Sequence, residues 1–310
     1  MNKTRSVNRL FLLMVIWVFA SSMLLGRIGV TMNAWENMLA GELILLVPVV
    51  IFLVWSRQPL KEWFPVRPMK VSTILMTVLF TGLIMPLVTF LNAFSMLFSE
   101  NYVAAESQTL QNAGIWMNLF VIAVVPAVCE EVIFRGVFYH GYRENGILKG
   151  ALVCGLTFGL LHRNVNQFFY ASVLGIVFCL LVEATGSIFS SMIAHFLINA
   201  WSVFLMAVQK ALLSGMGTAA RSAYMETQAA ALTKTELVDI VCIYGLIAAV
   251  STLLAGCVLV WMAGHCGRLE TLRDGLRTKK EEMGWRRILT PSFTGAAGIC
   301  LGYMIMQELL

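Results

Sequence analysis

The sequence predicts an all-α, polytopic integral membrane helix bundle of about eight transmembrane helices, or nine if every apolar segment spans. Composition is the first reason: 59% of the 310 residues are hydrophobic and 13% are charged, where soluble domains carry about 25% charged residues. The second is patterning, because apolar segments recur at close to the roughly 20 residues needed to cross the hydrocarbon core, and mean hydropathy is +0.79. The third is where the charges fall. The net charge of +5 comes from basic residues lying between apolar segments, which the positive-inside rule explains without a nucleic-acid partner.

In chain order the candidate spans are 9–29, 39–56, 72–97, 114–140, 148–162, 167–184, 187–209, 237–263 and 292–309. The first follows Lys3, Arg5 and Arg9, as a cleaved signal peptide would. The later segments anchor the chain in either case, so 9–29 is kept as a span. A cytoplasmic N-terminus would place loops 57–71, 141–147, 185–186 and 264–291 on the cytoplasmic side. Loop 57–71 carries Arg57, Lys61, Arg67 and Lys70 against Glu62, and seven Lys/Arg lie between Arg268 and Arg287. Outer loop 98–113 has Glu100 and Glu106 and no Lys or Arg, whereas 210–236 is mixed, with Lys210, Arg221 and Lys234. The balance favours N-in across a cell membrane.

Segments 148–162 and 292–309 are short enough to be tilted, re-entrant or partly inserted. Loop 264–291 has the makings of a short amphipathic helix, and Gly298 with Gly302 forms a weak GxxxG packing signal. Of seven cysteines, six fall within apolar segments without CxxC spacing, so each is read as a small buried hydrophobe. Function divides the chain into N-terminal helices 1–113, a core 114–209 and C-terminal helices 210–310 with a basic loop.

Ionisable residues inside the spans are the exceptions that locate a site. Glu130, Glu131 and Arg135 lie in the fourth span, His162 ends the fifth, and His195 and Asn199 lie in the seventh. At a rise of about 1.5 Å per residue, Glu130 is about 15 Å, His195 about 12 Å and His162 about 20 Å from the cytoplasmic ends. Three spans thus bring acid or imidazole to a similar level. Glu131 and Arg135 are i,i+4 with Glu first, the favourable order for an ion pair, while Glu130 is turned away by about 100°. His195 and Asn199 share a face, as do Phe158 and His162. A central charge costs about 2.5–3.5 kcal/mol to insert, so these groups should face protein. The plain alternative for Glu131–Arg135 is an ion pair that fixes helix packing.

A carboxylate and an imidazole around one water can activate it for attack on a carbonyl, and a second histidine with an amide can stabilise the oxyanion. No cofactor is needed. The chain has no HExxH, no GxSG, no GxGD and only two aspartates, Asp239 and Asp274, which sets aside the usual zinc, serine and aspartyl signatures. A zinc site built from two His and one Glu stays open, as do a non-enzymatic membrane protein with a structural polar core and a proton-coupled transporter.

The stretch EEVIFRG (Glu130 to Gly136) resembles motif 1 of the CAAX protease and bacteriocin-processing family, which includes type II CAAX prenyl endopeptidases and bacterial Abi proteins. FGLLH (Phe158 to His162) resembles its FxxxH motif and HFLIN (His195 to Asn199) its HxxxN motif, with Gly175 and Thr185–Phe189 similar in spacing. The resemblance covers roughly 114–205 and departs at none of these positions. It implies a metal-independent intramembrane glutamic endopeptidase in which Glu130 and His162 activate water, His195 and Asn199 form the oxyanion hole, and Glu131 and Arg135 support them. The implied partners are membrane lipids and a peptide or membrane-protein substrate, such as a lipidated peptide or a bacteriocin leader. Family members that serve in immunity or as scaffolds keep a non-enzymatic role open.

Overall fold

The computed structural model describes residues 2–99, 114–222, 233–277 and 285–309. The acidic residues expected in outer loop 98–113, the middle of loop 210–236 and residues 278–284 of the basic loop lie outside the described residues. Every regular element among the described residues is helical. They are α1 (Lys3–Arg27), α2 (Ala34–Ser56), the short α3 (Leu60–Trp63), α4 (Val71–Ser95), α5 (Ile115–Asn145), α6 (Ile147–Leu161), α7 (Val165–Thr185), α8 (Ile188–Gly215), α9 (Lys234–His265), α10 (Leu269–Leu276) and α11 (Pro291–Leu309).

Seven of these (α1, α2, α4, α5, α7, α8 and α9) are long and apolar enough to cross a membrane, and α6 is a shorter apolar helix of 15 residues. The chain is a multi-pass membrane bundle, as its composition predicts. The ninth apolar segment does form a helix, but α11 falls outside those seven. Its first half, PSFTGAAG, is small and polar, which dilutes its apolar character.

Local chemistry sets the helix ends. Asn2 caps α1 by accepting from the Arg5 N–H, which starts the helix ahead of its apolar stretch. Asn33 with Glu36, and Thr233 with Glu236, form reciprocal capping boxes at the starts of α2 and α9. The chain turns from α6 into α7 through Arg163, which takes a left-handed conformation (φ 57°), and Asn164 then caps α7 on the Gln167 N–H.

One apolar cluster joins α1, α5, α6 and α11, with Phe11 edge-on to Phe138 at 6.3 Å and tilted against Phe293 at 5.6 Å. This buries α1 as a structural member of the bundle. A second cluster joins α4, α7, α8 and α9 through Phe80, Phe178, Leu181, Ile198 and Met262. On the outside of α9, Leu246, Val250, Leu253 and Leu254 are exposed, as suits a lipid-facing surface. Cys242 and Cys257 are exposed on α9 too, so they are not the buried hydrophobes their apolar setting predicts. Lipid, rather than protein, is what makes those positions apolar. Gly298 and Gly302 likewise have open space at their Cβ positions, so the GxxxG of α11 packs against no helix among the described residues.

Close packing of α6 on α7 depends on glycine. A Cβ on Gly175 would stand 2.6 Å from the Gly155 Cα, and one on Gly159 would stand 2.8 Å from the Phe168 carbonyl oxygen. Backbone cannot yield as a side chain can. Gly175→Val should therefore destabilise the protein by about 1–3 kcal/mol or more, read as a lower thermal unfolding midpoint in detergent, while Gly256→Val on the open face of α9 should change it little.

Candidate active site

The site forms where α5 meets α8 and α6. Helix α5 is not uniform. Wider, π-helical turns at Leu119–Val124 and Val132–Phe138 flank an α-helical turn, Val125–Glu131, that ends on the two glutamates. Such turns concentrate at functional sites. Pro126 contributes to the irregularity, having no N–H to offer the Ile122 carbonyl four residues back. Asn199 Nδ2 donates to that carbonyl from α8 at 2.9 Å, so one amide hydrogen of Asn199 ties α8 to α5.

Glu131 is the hub. Its side chain is fully buried, and Oε1 accepts from Arg135 Nη1 at 2.8 Å and from His195 Nδ1 at 2.9 Å. The i,i+4 pair expected from the sequence is present. The guanidinium is held between two aromatic faces, with its carbon 4.6 Å from the Phe158 ring centroid and 4.9 Å from that of Phe178. Phe158, the first residue of FxxxH, thus supports Arg135 from above while facing His162 edge-on at 4.8 Å and His195 at 6.2 Å.

With Nδ1 tied to Glu131, the His195 ring turns Nε2 toward Glu130, 3.5 Å from Oε2. Glu130 is turned away from the Glu131–Arg135 pair, its side chain 12% exposed. His162 lies just past the last turn of α6, where its Nδ1 meets the Phe158 carbonyl at 2.8 Å. A carbonyl only accepts, so Nδ1 carries the hydrogen and Nε2 of the neutral ring keeps its lone pair. No direct hydrogen bond joins His162 to Glu130 or His195 among the described residues. The six residues singled out in the sequence therefore divide into a directly bonded group (Glu130, Glu131, Arg135, His195), His162 held beside it across Phe158, and Asn199 bonded to the α5 backbone.

One group escaped the sequence reading. Glu42 of α2 lies close enough to Glu130 for their carboxyl groups to interact, and its Oε2 is buried with no partner among the described residues. The available signal was a single acid between Glu36 and Arg57 in an otherwise apolar span, but nothing in the spacing connects residue 42 to residue 130.

Residues 112–201 match the family described as type II CAAX prenyl endopeptidase Rce1-like. A Bacillus subtilis (strain 168) protein named "Putative membrane peptidase YdiL" is 24% identical over 90 residues, which cover 29% of this chain and 37% of that protein. The chain thus spans little more than a third of the length of this curated relative. No solved structure matches the chain. The matched region contains Glu130, Glu131, Arg135, His162, His195 and Asn199, while Glu42 precedes it.

Removing Glu131 strands a buried guanidinium, a loss of about 3–5 kcal/mol for one partner of a buried ion pair. Glu131→Ala should accordingly lower the thermal midpoint steeply in detergent, whereas Glu130→Gln, which keeps a polar group of the same shape, should leave it within a degree or two of the parent.

Proposed function

We propose that the protein is a metal-independent intramembrane glutamic endopeptidase that hydrolyses a peptide bond near the cytoplasmic leaflet of the cell membrane, with its N-terminus in the cytoplasm. The observation that carries this reading is the pairing of Glu130 with His195 at 3.5 Å beside an imidazole, His162, whose Nε2 is free to accept a proton.

In this reading a water enters between Glu130 and His162. These two groups take its proton as the oxygen bonds to the scissile carbonyl carbon. The negative charge that develops on the carbonyl oxygen is met by N–H donors from His195 Nε2 and the second amide hydrogen of Asn199. Collapse of the tetrahedral intermediate breaks the C–N bond, and the proton passes to the departing amine. Glu131 fixes the His195 ring through Nδ1, and Arg135 holds Glu131 in place, so both position the site without touching substrate. Among the described residues, no three His, Cys, Asp or Glu side chains converge as a metal-binding set.

An apolar groove of about 410 Å³ runs along α5 and α8, lined by Val124, Ala127, Val128, Met192 and Phe196 among others. It supports a substrate with an apolar or lipid-modified segment, which a lipidated peptide, a leader peptide or another membrane protein would each supply.

The test is cleavage of candidate peptides by purified protein in liposomes. Glu130→Ala and His162→Ala should each slow turnover by about 10²–10⁴-fold, and Asn199→Ala by about 10²–10³-fold, while a chelator should leave the wild-type rate unchanged. Activity that survives both Glu130→Ala and His162→Ala removes the mechanism; activity abolished by the chelator and restored by zinc moves it to a metal. Comparing membrane peptides from cells carrying wild type or Glu130→Ala should reveal the substrate as a species that accumulates uncut in the variant.

A further inference from the structure

A second polar space is lined in part by Arg135. There a cavity of about 780 Å³ opens between the segment 60–67, the end of α5, the end of α7 and the start of α10. Its lining includes five cations, Lys61, Arg67, Arg135, Arg143 and Arg268, against the two acids Glu62 and Glu183. Glu183 is fully committed. It pairs with Arg143 and with Arg268 (Nη2 to Oε2, 2.9 Å and 3.0 Å) and accepts from the Tyr139 hydroxyl at 3.0 Å. One carboxylate shared by two guanidiniums leaves positive charge over.

Arg135 adds an unmet demand. Its side chain is fully buried and only Nη1 is bonded, to Glu131, while Nε and Nη2 have no partner among the described residues. Buried guanidinium donors are rarely left unused, and the aromatic rings on its faces do not satisfy donors that lie in its plane. The cavity wall is also built firmly. The Ile188 N–H donates to the Pro65 carbonyl at 3.0 Å, Ser187 Oγ donates to the Arg67 carbonyl at 2.6 Å, and Trp63 is fully buried against Phe52 and His140.

The mouth shows which anion fits. α1 starts here, with Lys3 Nζ 3.0 Å from His140 Nε2, and α2, α5, α7 and α9 end here. This is the end of the bundle to which the sequence assigns its cytoplasmic loops. Beside Lys61 and Arg67, Leu60 and Val66 are 60% and 61% exposed. Cations inside and apolar side chains at the rim match a group that carries both a phosphate and hydrocarbon.

We infer that this cavity binds the phosphate of an anionic phospholipid from the cytoplasmic leaflet, with Lys61, Arg67 and Arg268 around the phosphate and the acyl chains running past Leu60 and Val66. Basic pockets between transmembrane helices on that side are suited to such headgroups. The site is separate from the proposed hydrolysis and stands whether or not the protein cleaves peptides.

The experiment uses the purified full chain in neutral detergent, titrated with short-chain phosphatidylglycerol, short-chain phosphatidylcholine or inorganic phosphate, with retention read by native mass spectrometry and stabilisation by thermal midpoint. Phosphatidylglycerol should bind at least tenfold more tightly than phosphatidylcholine. Lys61→Glu with Arg67→Glu should lose that preference, whereas the charge-matched control Arg5→Glu with Arg277→Glu, at exposed positions outside the cavity, should keep it. If the first pair fails to fold, Arg67→Ala alone, at an exposed side chain, should weaken phosphatidylglycerol about threefold to tenfold. Equal binding of the two lipids, or equal losses in the cavity variant and the control, overturns the proposal. Stabilisation by inorganic phosphate at the same concentrations as phosphatidylglycerol reassigns the cavity to a free anion and overturns its lipid source.

Discussion

The Glu131 carboxylate is the group on which the rest of the polar interior depends. One oxygen accepts from Arg135 on its own helix and from His195 on α8, in surroundings where neither the acid nor the guanidinium touches solvent. A buried pair of this kind adds little stability over apolar packing, but removing either partner leaves an uncompensated charge. Its value here is geometric. It sets the rotation of α8 against α5 and fixes which nitrogen of His195 points toward Glu130. Phe158 and Phe178 both pack their rings against the guanidinium, so the orientation of an imidazole on one helix depends on aromatic packing on two others.

Much of this was legible in the sequence because the governing periodicities are short. Apolar segments of membrane-spanning length mark the helices, and i,i+4 spacing correctly pairs Glu131 with Arg135. The same spacing puts Phe158 beside His162, where the ring and the Phe158 carbonyl both fix the imidazole. What stayed hidden depends on contacts between distant segments. Glu42 and Glu130 are brought together only by the lateral packing of α2 on α5. Arg268 reads as a topology marker in the basic loop, yet it folds back onto Glu183 across α7. The depths estimated for a straight helix also do not carry over to α5. Its π-helical turns advance less per residue than an α-helix, and no residue pattern announces them apart from Pro126.

The ion pair of Glu131 and Arg135 is also bonded to His195, so a packing role and the proposed support of a site are compatible. An ion pair that only fixed two helices would have no reason to share its acid with a histidine. An isolated catalytic acid, for its part, would need some other group to hold His195. Asn199 shows the same double use. One of its amide hydrogens closes the backbone gap opposite Pro126, and the other is the one the proposed mechanism assigns to the oxyanion.

Arg135 carries the logic one step further, because it is the wall shared by two polar spaces. It anchors Glu131 and, through it, His195; it also lines a cationic cavity, and its Nε and Nη2 have no partner among the described residues. The guanidinium that holds the buried carboxylate is thus also part of the wall of a separate cationic space.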